Sequence, residues 1–120
     1  MLGFPKQTEL LTRLMEASEL RHRVVSQNLA NVNTPGYRRL KVDFEDELAQ
    51  QILSGDSDAE PPVINTEVVE DKSRTPRADG NTVDIDLEIG ELQRNAMMYQ
   101  TYAQLLSAQF ATMRLAISAE

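Results

Sequence analysis

A helical pattern that opens at Leu11 runs unbroken to Val32 and then meets Asn33-Thr34-Pro35-Gly36-Tyr37, through which a helix does not continue. Proline has no amide hydrogen to donate, and its ring disfavours helical geometry in the residue before it. Pro-Gly suits the two central positions of a type II turn, the second of which needs a positive φ. The chain is thereby committed to one long helix, a sharp stop, and a new direction. Leu11, Met15, Ser18, His22, Val25, Leu29 and Val32 recur at spacings of four and three, which predicts a helix over residues 8–32 with a coiled-coil-like seam, widened at its N-terminal end by Leu10, Leu14, Ala17 and Val24. Glu9/Arg13 and Glu19/Arg23 support it as i,i+4 pairs.

A second seam occupies the C-terminal third. Ile85, Ile89, Leu92, Ala96, Tyr99, Ala103, Leu106, Phe110, Met113 and Ile117 keep the same spacing over more than four heptads. Asp84, Asp86, Glu88 and Glu91 crowd its start, where they oppose the positive pole of the helix dipole. Residues 95–113 contain no charge at all. A helix with one face in water normally carries charge there, so this surface is expected to be covered by other protein.

Three segments follow from this reading. Residues 1–53 hold the first helix, the turn and a short amphipathic helix over 43–53 with Phe44, Leu48 and Ile52 on one face. Residues 54–80 are a polar, acidic loop, irregular or poorly ordered, with at most a short strand around 62–70. A deletion inside it, over 56–74, is expected to be milder than a charge placed on the helix seam if the loop is only a tether. Residues 81–120 form the second helix, which pairs with the first. The expected fold class is all-α: two long terminal helices closing as a coiled-coil-like hairpin. A hairpin of this kind, with three Phe, three Tyr and no Trp, has a marginal core, so burial must be completed by neighbours.

Charge and composition exclude several functions. The net charge is −7; residues 1–41 carry +4 and residues 42–91 carry −12, so no basic face for nucleic acid is expected. There is no cysteine, hence no disulfide and no thiolate metal site. The N-terminus lacks the apolar core of a cleavable signal peptide, and no run is long enough to span a bilayer. On composition alone the chain reads as cytoplasmic. His22, the one histidine, has no companion for zinc and no nucleophile to activate. Asp79-Gly80-Asn81-Thr82-Val83-Asp84 hints at a calcium loop but puts Val83 at position five and Asp84 where position six requires glycine. No catalytic residue, metal, cofactor or small-molecule substrate is expected.

The stop itself carries more asparagine than a stop needs. Asn28 and Asn31 stand three apart within the helix, which points to side-chain amides bonding to another stretch of backbone. The block Asn28-Leu-Ala-Asn31-Val-Asn-Thr34-Pro35-Gly36-Tyr37 resembles the N-terminal signature of bacterial flagellar rod and hook axial proteins. Val42-Asp43-Phe44 and Glu47-Leu48 continue the likeness. Asp79-Gly80-Asn81-Thr82-Val83-Asp84, with Glu88, Asn95 and Tyr99, is similar to the proximal-rod branch of that family. The likeness spans residues 10–50 and 79–118.

The resemblance implies a structural subunit of the proximal rod that polymerises through its terminal helices and transmits torque. It implies self-association, and contact with other rod subunits, the rod–ring adaptor, the membrane ring and the export gate. It also implies type III export without a cleaved signal, and residence in the basal body within the periplasmic space. That overrides the cytoplasmic reading. The alternative is a small helical adaptor or export chaperone, which would have no use for either motif.

Overall fold

The computed structural model describes residues 4–53 and 66–119. The part of the expected polar loop from 54 to 65 lies outside these residues. Five elements follow one another: α1 (Phe4–Ala30), β1 (Leu40–Val42), α2 (Glu45–Leu53), β2 (Val68–Glu70) and α3 (Ile85–Ser118). The two long helices pack side by side as the expected helical hairpin. At 1.5 Å per residue the 34 residues of α3 span about 50 Å.

Local chemistry sets the helix ends. α1 closes by tightening: the Asn31 amide is shared between the Gln27 and Asn28 carbonyls, and Val32 donates to Leu29. Tyr37 then donates to the Thr34 carbonyl across Pro35-Gly36, with Gly36 at φ 75°. The positive φ expected of that glycine is present. Asp84 caps α3, its carboxylate accepting from the amides of Asp86 and Leu87.

The hairpin closes on much of the stripe expected in α1 but not on the one expected in α3. In α1 the buried residues are Leu11, Leu14, Ala17, Ser18, Arg21, Val24, Val25 and Asn28, whereas Met15 and Leu29 are half-buried and His22 is exposed. Leu11, Ser18 and Val25 of the expected seam and Leu14, Ala17 and Val24 beside it are packed, while Arg21 and Asn28 take inward places that Met15, His22 and Leu29 do not. In α3 the inward stripe is Glu88, Asn95, Tyr102 and Gln109. Leu92 and Leu106 lie half-buried at its edge, while Tyr99, Phe110, Met113 and Ile117 are exposed. The reason is that the hairpin is aligned by polar contacts, described below, rather than by apolar area alone.

The apolar core is small and sits where α1, β1 and the start of α2 converge. Leu14, Ala17, Val24, Val42 and Phe44 form it, and Leu10, Leu20, Leu40, Leu48 and Tyr102 pack around it. β1 and β2 pair antiparallel, with Lys41 opposite Val69. The chain after Tyr37 thus enters a short strand, and residues 66–84 fold back on β1 and the end of α1 rather than serving only as a tether. A deletion reaching position 74 would remove β2 and Asp71, so the expectation of a milder effect is withdrawn.

Candidate assembly site at the helix junction

The two sequence motifs, separated by more than forty residues, interlock. Asn28 is the pivot and is fully buried. Its Nδ2 donates to the Leu40 carbonyl at 2.8 Å, and its Oδ1 accepts from the Leu40 amide at 3.0 Å. The side chain thus substitutes for a neighbouring strand at Leu40. The same Oδ1 accepts from the Tyr37 hydroxyl at 3.1 Å, and Nδ2 reaches Glu88 at 3.4 Å. Asn31 behaves differently. Its amide donates to the Gln27 carbonyl one turn back and its oxygen accepts from Thr34, so it remains local. The cross-chain role expected of both asparagines belongs to Asn28 alone.

From the other side, Asn81 is the key that enters the stop. Its Nδ2 lies within 2.9–3.1 Å of three carbonyls of the turn that follows α1, those of Asn31, Val32 and Thr34. Arg77 adds a second donor to Val32 and a 3.1 Å bond to the Val83 carbonyl. Asn81 is oriented by its own loop, with its amide on the Asp79 carboxylate and its Oδ1 accepting from Val83. The loop docks through backbone as well: Gly36 donates to the Asp79 carbonyl and Thr82 to that of Tyr37. Gly80 has φ 84°, and a β-carbon there would stand 3.4 Å from the Gly36 backbone. The Asp-Gly-Asn-Thr-Val-Asp block is therefore a clasp. Among the described residues no group of carboxylates or histidine is arranged to hold a metal ion.

Behind the clasp lies a buried ionic cluster. Arg39 donates to Glu88 through Nε and to Asp71 through Nη1, the latter at 2.9 Å, and all three residues are nearly or wholly inaccessible. Arg74 approaches Asp71 at 3.5 Å and brings the cluster to charge balance. Burial alone would push the Asp71 carboxyl up. Bonds from the Ser73 hydroxyl and amide, and the charges of Arg39 and Lys41, hold it down at about 2. The Arg39 amide donates to Thr82 Oγ1 at 2.7 Å, which ties the cluster to the clasp. Burial, followed by the Glu88 charge, raises the Tyr37 phenol above its ordinary value.

A second buried arginine anchors α2. Arg21 lies over the Phe44 ring at 4.5 Å, donates to the Val42 carbonyl at 2.6 and 3.0 Å, and pairs with Glu45. Sequence reasoning passed over Arg21, Arg39 and Asp71. A buried charge looks in sequence like any surface charge, and the one available signal was the placement of Arg21 on the inward face of α1. Glu88 and Asn95 were marked only by resemblance.

Away from the junction the surface changes character. Beyond Asn95 the uncharged part of α3 exposes Met97, Tyr99, Leu105 and Phe110, and Leu115 and Ile117 near its end are more than two-thirds exposed. Among the described residues no helix is long and apolar enough to cross a membrane.

Comparison with known proteins gives the family. A family model described as flagella basal body rod protein matches residues 15–38, the stretch that ends α1 and carries the Asn28-to-Tyr37 block. Flagellar basal body rod protein FlgB of Cereibacter sphaeroides is 30% identical, with all of both chains aligned. FlgB of Borreliella burgdorferi is 28% identical over 98% of this chain and 99% of the relative. FlgB of Escherichia coli K12 is 31% identical over 78% and 79% respectively. With a full-length relative at this identity, the chain belongs to the FlgB family of flagellar basal body rod proteins.

Proposed function

We propose that this protein is a structural subunit of the proximal rod. It polymerises through its terminal helices, links the membrane ring and export gate to the distal rod, and transmits torque. The observation that carries the reading is the division of α3 into a clasped base and an uncharged, apolar outer surface. Tyr99 and Phe110 are exposed on a stretch with no charge from 95 to 113. In an isolated chain that surface meets water unfavourably, and helices of neighbouring rod subunits, other copies of this chain included, offer the matching apolar cover. The rod–ring adaptor is a further neighbour. Passage to the periplasmic side without a cleaved signal belongs to the same proposal.

Phe110→Asp tests it. Phe110 is 46% exposed, so the substitution should cost the isolated chain no more than about 1–2 kcal/mol. At a docking surface the same carboxylate would be desolvated without a partner and block assembly. A strain lacking the subunit and supplied with this variant should not swim, and its purified basal bodies should lack the protein by mass spectrometry. Normal swimming, or a wild-type protein that stays soluble in the cytoplasm and is absent from salt-washed basal bodies, would defeat the proposal.

A further inference from the structure

Two polar atoms in the middle of the hairpin have no hydrogen-bond partner, Ser18 Oγ and Asn95 Oδ1, and both are buried. The other end of Asn95 is engaged: Nδ2 donates to the main-chain carbonyl of Ser18 at 2.7 Å. That carbonyl is within reach because Ala17 and Ser18 are the small residues of the inward face of α1, which elsewhere presents Leu11, Leu14, Val24 and Val25. A buried amide satisfied at one end disfavours folding relative to an apolar contact of the same shape. Such a group contributes alignment more than stability, as a lone buried asparagine does in coiled coils.

What it aligns is the rotation of α3. That helix carries two stripes roughly a quarter-turn apart at about 100° per residue. The polar one, Glu88, Asn95, Tyr102 and Gln109, recurs every seven residues and faces inward. Glu88 meets Arg39 and Asn28, and Gln109 bonds Thr8 and Gln7, each at 2.9 Å. The apolar one flanks it: Leu92 and Leu106 are half-buried at the seam edge, while Tyr99, Phe110, Met113 and, most of all, Ile117 are exposed. Hydrophobic burial by itself favours the opposite rotation. The clasp orients only the base of the helix, and Asn95 is the buried polar contact two turns further on.

We propose that Asn95 is a positioning residue: its bond to the Ser18 carbonyl holds α3 in the rotation that keeps the apolar stripe outward for helices of neighbouring rod subunits. The role assigned to the stripe rests on the function proposed above; the rotation does not.

Asn95→Leu in the full-length chain separates the two. Hydroxyl-radical footprinting should show at least twofold less oxidation at Tyr99 and Phe110 and at least twofold more at Met98, which lies on the far side of the polar stripe. The melting temperature should hold or rise. A merely structural loss would raise all three residues together, and that result, or an unchanged pattern, overturns the positioning role. If Asn95→Leu does not melt cooperatively, Asn95→Ala should shift the footprint in the same opposed directions, and a uniform rise there counts equally against the proposal. Ser18→Ala keeps the carbonyl and must keep the wild-type footprint; a shift would overturn the assignment of that bond. Complementation for swimming completes the test. A shifted footprint with swimming intact supports the rotation and overturns the docking role of the stripe, whereas lost swimming with an unshifted footprint overturns the rotation and spares the docking role.

Discussion

Asn28 and Asn31 are the same residue type, one helical turn apart, and the fold uses them in different ways. Asn28 is buried and bonds both polar groups of Leu40, the Tyr37 hydroxyl and Glu88. Asn31 is partly exposed and its side chain bonds only within its own turn. Asn28→Ala leaves several buried groups unpaired and should cost about 2–4 kcal/mol. Asn31→Ala should cost about 0.5 kcal/mol or less. Urea unfolding of the two variants beside the wild type reads the difference, and equal losses would mean that the network at Leu40 is unimportant. Asp71 supplies a second residue-scale test. Its carboxyl is depressed from 3.8 to about 2 in the folded chain, so it binds protons more weakly there than when unfolded. The stabilisation it contributes is present above pH 4 and disappears as pH falls toward 2. Asp71→Asn should be less stable than wild type at neutral pH, and the gap in urea midpoint should narrow between about pH 4 and 2.

At the scale of elements, helix existence was legible and helix rotation was not. The period of 3.6, the Pro-Gly stop and the acidic start of the last helix place α1 and α3 within a few residues of where they lie. The inward face of α3 was misjudged because apolar periodicity reports which face is hydrophobic, not which neighbour covers it. In α3 the two differ: the most apolar stripe lies outward and a polar stripe is packed against α1. β1 and β2 were barely visible, since each has three residues and stands or falls on its partner. One weak point in α3 invites improvement. Gly90 is exposed in the helix, and a β-carbon there would meet nothing within 4 Å. Gly90→Ala should therefore stabilise the chain by about 0.5–1 kcal/mol, chiefly by restricting the unfolded backbone. A drop in the urea midpoint would show that the glycine has a conformational use the structure does not explain.

Over the whole molecule, stability is concentrated at one end. The clasp and the ionic cluster lie around the end of α1, the two strands and the start of α3, and the apolar core continues from them to the middle of both long helices. Residues 112–119 are exposed throughout. Hydrogen exchange should follow that gradient, with the amides of 112–118 exchanging at least about 100-fold faster than those of Leu40 and Thr82. Uniform protection along α3 in dilute solution would mean the free helix is supported by something other than the hairpin. A subunit that is firm at its base and underpacked at its tip is suited to finishing its fold against neighbours.

The sequence alone was enough for the two long helices, the turn with its positive-φ glycine, and the exclusion of thiolate chemistry, because each depends on local backbone preference or on residue types present or missing. Residues 28–37 and 79–84 also stood out in it as unusual blocks. Only the tertiary structure decided that the second block is the clasp of the first, that Arg39, Asp71 and Glu88 are buried partners, and that α3 turns its polar stripe inward. Those outcomes depend on which distant groups meet once the chain has folded, and no local pattern encodes the partner of a buried charge.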